Sequence, residues 1–207
     1  NGKYDGFVVK LNPSGTELLY STFLGGSGDD KIISICADRF GNAYVSGHTQ
    51  SSDFPMDATV GGPSAPGYDQ TFAGAYPSFD GFVVKLNSSG TELLYSTFLG
   101  GIAGETVCCI CIDRYGNAYV TGETASNNFP MDQTIGGASA PGYDKTYNGS
   151  GDAFVVKLNP SGTELLYATY IGGSNPECAY DLAIDEIGNI YIVGRTASID
   201  FPMDRTV

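Results

Sequence analysis

The five cysteines, Cys36, Cys108, Cys109, Cys111 and Cys178, are the side chains of this 207-residue chain best suited to redox chemistry or soft-metal ligation. Five is odd, so at least one thiol has no partner within the chain. Cys108-Cys109-Ile110-Cys111 has the composition of a metal or redox motif, but it lacks the two-residue gap of a zinc knuckle, and there is no CxxCH haem site. The cluster falls in an apolar strand pattern, where cysteine serves as a small hydrophobe. Cys36 and Cys111 stand two residues before Asp38 and Asp113, and Ala183 takes that place before Asp185. Residues of this size suit a crowded strand, so both thiols are expected to be buried and reduced.

Oxygen ligands are the other possibility. Asp29 and Asp30 follow a Gly-rich turn and could hold calcium. The corresponding positions are Gly104-Glu105 and Pro176-Glu177, so a single acid is common to all three, too few for a repeated cage. A solvated turn is the expectation there. Asp38, Asp113 and Asp185 open hairpin turns, where a carboxylate caps backbone N–H groups. His48, the one histidine, corresponds to Glu123 and Arg195, and this variation predicts a solvent-facing position. No nucleophile accompanies it, and the chain has no Ser-His-Asp set, phosphate loop or HExxH motif. The reading is a protein without enzymatic activity, with no catalytic, cofactor-binding or metal residues to assign and no cofactor.

Tyr68, Phe72, Tyr76, Phe79, Tyr143 and Tyr147 lie in long Gly- and Pro-rich segments. Aromatics so placed suit contact with a glycan or a protein ligand. They equally suit packing over a sheet edge.

What positions these residues is a repeat. Asp5-Gly-Phe-Val-Val-Lys-Leu-Asn12 returns from Asp80 and, with one Gly-to-Ala change, from Asp152, at offsets of 75 and 72 residues. Phe-Pro-Met-Asp blocks at Phe54, Phe129 and Phe201 keep the same offsets, so the three-residue difference lies in a loop between Phe129 and Asp152. The units run 5–79, 80–151 and 152–207, the last truncated, and together form one repeat array. Each carries four strand signals: in the first, Phe7–Leu11, Leu18–Leu24, Ile32–Ala37 and Ala43–Gly47. Turns ending in Gly, such as Asn12-Pro13-Ser14-Gly15, close two hairpins per unit. Several runs are apolar at successive positions, which predicts sheets covered on both faces by stacked neighbours.

Ten basic residues against 23 acidic ones leave a net charge of −13. Such a field repels phosphate backbones and anionic lipid, so neither nucleic acid nor membrane insertion is expected.

The repeated Asp-Gly-Phe-Val-Val-Lys-Leu-Asn, Tyr-Ser-Thr-Phe-Leu-Gly-Gly, Asp-Arg-Phe-Gly-Asn-Ala-Tyr-Val-Ser-Gly and Asp-Phe-Pro motifs resemble the bacterial beta-propeller repeat (SBBP) family. The resemblance spans nearly the whole chain. It implies an all-β fold of four-stranded antiparallel propeller blades, no catalysis, and an extracellular or cell-surface place in bacteria. With the innermost strand first in each blade, the chain has three blade-equivalents: two whole blades and two complementary half-blades at the ends. Three blades fall short of the usual four to eight. The chain therefore reads as an excerpt, its half-blades pairing with adjoining repeats or with another copy, as a ring or a filament. A structural or interaction scaffold assembling end to end is the expected function, with a carbohydrate-binding module as the alternative.

Overall fold

The computed structural model describes residues 3–59, 62–74 and 77–203; Tyr76 lies outside the described residues. Twelve strands form among the described residues: β1 (Gly6–Leu11), β2 (Leu18–Leu24), β3 (Asp30–Ala37), β4 (Ala43–Thr49), β5 (Asp80–Leu86), β6 (Leu93–Leu99), β7 (Glu105–Ile112), β8 (Ala118–Thr124), β9 (Asp152–Leu158), β10 (Leu165–Ile171), β11 (Glu177–Ile184) and β12 (Ile190–Thr196). They make two four-stranded antiparallel sheets, β3-β4-β5-β6 and β7-β8-β9-β10, flanked by the two-stranded sheets β1-β2 and β11-β12. The expected two blades and two half-blades are present. No helix among the described residues is long and apolar enough to cross a membrane.

β7 packs on β3 and β4, and β11 on β7 and β8, so the first strand of each blade faces its counterpart in the next. Each first strand carries a register shift, at Ile32/Ser34, Val107/Cys109 and Ala179/Asp181. The bulge leaves Ile33, Cys108 and Tyr180 out of step with the second strand and bends the inner strand.

The turns follow from local chemistry. Asp38 Oδ1 accepts from the Phe40 and Asn42 N–H groups, and Asp113 and Asp185 repeat this pattern. Gly90 and Gly162 are held for two reasons at once. Their φ values of 70° and 69° disfavour any side chain, and an added Cβ would meet the rings of Tyr20 and Tyr95 at 2.5 Å. Those tyrosines belong to the preceding sheet, so the hairpin turn of one blade is a seat for an aromatic ring of its neighbour.

The core lies between the sheets. Tyr44, Val83, Tyr95, Leu99, Val107, Phe154 and Val156 fill the junction of the two whole blades, and Val8, Leu24, Val45, Phe82 and Phe98 fill the one before it. Central strands β4, β5, β8 and β9 are enclosed nearly throughout, as their unbroken apolar runs require.

The long segments are edge covers. Ala58 and Pro66 carbonyls accept from Leu93 and Ser96 N–H, and the Asp69 carbonyl accepts from Phe98 N–H, all along the outer edge of β6. Gln133, Pro141 and Asp144 do the same for β10 through Leu165, Ala168 and Tyr170. An outer strand left bare would template association.

Candidate functional site

Among the described residues, the half-blades carry most of the exposed large apolar side chains. Phe7, Val9, Leu11, Leu18, Leu19 and Phe23 are exposed at one end, and Tyr191, Val193, Ile199 and Met203 at the other. Among the described residues β12 pairs only with β11, and β1 only with β2. In both whole blades the free edge of the second strand is taken by a third: Ala43 opposite Leu86 through Thr49 opposite Asp80, and Ala118 opposite Leu158 through Thr124 opposite Asp152. Beside the open edge of β12 lies a groove of about 360 Å³ lined by Ala153, Ile171, Ile192, Gly194 and Phe201.

A second feature recurs at each junction. Asp30, Glu105 and Glu177, read from the sequence as members of solvated turns, are buried. The correction has a local cause: each folds back under its Gly-rich turn, whose N–H it accepts. Glu105 Oε2 takes the Gly101 N–H at 3.0 Å and Oε1 the Thr124 hydroxyl at 2.7 Å; Glu177 repeats this with Gly173 and Thr196. Asp30, one methylene shorter, accepts from Gly26 N–H, the Ser51 hydroxyl and the Thr49 hydroxyl. Asp29 beside it is half-buried.

Each of these acids has an acidic neighbour from the start of a third strand. A Cβ added at Gly172 would stand 2.8 Å from Asp152 Oδ1 and 2.7 Å from Glu177 Oε2, and one at Gly25 would stand 2.8 Å from both Asp5 Oδ1 and Asp30 Oδ2. Asp80 and Asp152 are buried, each with Oδ2 bonded to a long-segment N–H (Ala73, Asn148) and Oδ1 without a hydrogen-bond partner. Burial, unrelieved by any basic group, lifts the Asp80 carboxyl to about 6 and the Glu105 carboxyl to about 7. Among the described residues no group of three or more His, Cys, Asp or Glu side chains converges to hold a metal. The chemistry open to the Asp80–Glu105 pair is proton uptake near neutrality.

His48 is also buried, against the sequence expectation of a solvent-facing position. Phe79, arriving from the long segment, stands edge-on to its ring at 4.9 Å, and Nδ1 has no partner. Burial and the Lys31 ammonium lower its pKa to about 4. Glu123 is half-buried and Arg195 exposed, so the position changes environment along the array. Cys36 and Cys111, expected buried, are half-buried; burial first, and the nearby Cys109 second, push both thiols up to about 12. Of the loop aromatics, Tyr68 is in the core with its hydroxyl on the Asp132 carbonyl at 3.0 Å. Phe72 and Tyr147 pack edge-on to Phe98 and Tyr170. Tyr143 is 77% exposed.

Four-stranded sheets stacked with their first strands facing, each outer edge wrapped by a loop, define a protein of the β-propeller class. The model of the SBBP beta-propeller repeat family matches three stretches of the chain, residues 19–55, 110–130 and 166–202, in agreement with the resemblance read from the repeated motifs. The first and last stretches run from the outer strand of one blade into the first two strands of the next. A second model, a beta-propeller domain of unknown function (DUF5122), matches residues 142–163. No curated protein matched the chain.

Proposed function

We propose that the chain is a non-catalytic extracellular or cell-surface scaffold of bacteria whose propeller repeats join end to end through its two half-blades. The observation that carries the reading is the open edge of β12 facing, in sequence terms, the strand that fills it elsewhere. Transferring the β8–β9 register places Ile190 opposite Leu11, Ile192 opposite Val9, Gly194 opposite Phe7 and Thr196 opposite Asp5. The partner strand is β1 of a second copy or its equivalent in an adjoining repeat. Joined reciprocally, two copies close a ring; a rotation that does not close continues as a filament. The net charge of −13 keeps such a repetitive array soluble.

Hydrogen exchange at increasing concentration tests this. Amides of β1 and β12 gain protection on concentration, and Val193→Lys abolishes the gain while sparing β8. Equal exchange of these strands at all concentrations would refute pairing between copies.

Contact with a glycan or a protein ligand is the second reading, and Tyr143 is the loop aromatic that favours it. Glycan-array binding lost in Tyr143→Ala would support it.

A further inference from the structure

We propose that Cys108 and Cys178 are a redox site: a reversible disulfide that staples the final half-blade to the blade before it. β7 and β11 lie side by side, and across that junction the Cys108 and Cys178 thiols are near enough to perturb one another electrostatically. The bulge at Val107/Cys109 brings them together, because Cys108 is the extra residue, out of step with the ladder to β8. At the preceding junction the same two positions are Ile33, the extra residue of the β3 bulge, and Thr106. The thiol pair therefore belongs to one junction and is not a consequence of the repeat. It also sits where a staple has most effect, since among the described residues β11-β12 is held by one neighbouring sheet and has no third strand.

The remaining thiols are differently engaged. Cys109 Sγ stands 2.9 Å from Asp181 Oδ1, on the far side of the bulge. Cys36 and Cys111 lie near it along the inner strands.

The oxidant is a low-molecular-weight disulfide, RSSR. Cys108, half-buried where Cys178 is buried, reacts first. Its thiolate attacks one sulfur of RSSR, the S–S bond breaks, and one RS⁻ leaves. Cys178 gives its proton to solvent and attacks Cys108 Sγ, expelling the second RS⁻. Two electrons pass to RSSR, which ends as two thiols. Burial and the Glu123 carboxylate hold both protein thiols above their ordinary range, so closure is slow, on the order of minutes to hours.

The test is incubation of the native chain with oxidised glutathione, followed by denaturation, alkylation and peptide mapping. The expected product has three of its five thiols alkylated and the Cys108 peptide joined to the Cys178 peptide. Cys108→Ser removes the link, Cys109→Ser keeps it, and Cys178→Ala is the second variant should Cys108→Ser misfold. Five alkylated thiols, a glutathione adduct that persists on Cys108, or a link that survives Cys108→Ser would each overturn the proposal.

Discussion

Phe7 and Phe82 occupy the same place in the same Asp-Gly-Phe-Val-Val-Lys-Leu-Asn motif, yet Phe82 is fully enclosed and Phe7 is 66% exposed. Both begin a third strand. Phe82 has β4 beside it and Phe54 stacked at 4.3 Å, whereas Phe7 lies in a sheet of two strands. Position in the array, not local sequence, sets what this residue contributes.

Phe82→Ala should therefore cost about 3–5 kcal/mol, the range for emptying an aromatic site in a packed core. Phe7→Ala in the dilute, unassembled chain should change stability by no more than about 0.5 kcal/mol. Urea unfolding followed by tyrosine fluorescence separates the two.

The hairpin glycines allow backbone strain and packing to be separated. Gly15 has φ 70° with open space where a Cβ would be, so Gly15→Ala bears only the left-handed backbone cost of about 1–2 kcal/mol. Gly162 has φ 69° and the Tyr95 ring 2.5 Å from the added carbon. Gly162→Ala should lose more, and the excess reports the blade junction. Equal losses in urea titrations of the two variants would mean the ring is not seated there.

The buried carboxyls make stability depend on pH in a stated direction. Asp80 and Glu105 are raised to about 6 and about 7 in the folded state, above their unfolded values near 4. Folding then favours the protonated forms: stability is lower above pH 7 and rises as pH falls through 7 to about 5. Asp38 and Asp113 are lowered by the turn N–H groups and amides they accept from, and by Lys85 and Lys157, against opposing burial. Their contribution is present above pH 4 and is lost below it. Melting temperature should peak near pH 5. Asp80→Asn should raise it at pH 8 and flatten the slope between pH 5 and 8; an unchanged slope would show that Asp80 does not titrate there.

Replacing residues 62–74 with a short Gly/Ser linker should bare part of the β6 edge, removing the acceptors of Ser96 and Phe98 N–H. The expected outcome is concentration-dependent aggregation detected by light scattering, with the hairpin β5-β6 still formed by infrared spectroscopy.

The strands were legible because each is a β-branched and aromatic run bounded by Gly or Asn turns, and because three copies exposed the register. The burial of Asp30, Glu105 and Glu177 was not. An acid beside a Gly-rich turn looks solvated in sequence, and only the fold shows the turn closing over it. His48 misled for a related reason: its cover, Phe79, lies 31 residues away on a segment without strand pattern. The edge-covering role of those segments was hidden too, since single backbone bonds at Ala58, Pro66 and Asp69 leave no periodic trace. The Cys108–Cys178 contact depends on a bulge, which one strand's sequence does not announce.

Light scattering on the purified chain, run under reducing conditions across a concentration series, tests end-to-end pairing most directly. Joining through β1 and β12 predicts a mass of twice 21.7 kDa or a larger multiple, returning toward 21.7 kDa in Val193→Lys. A single species of 21.7 kDa at every concentration would contradict the account.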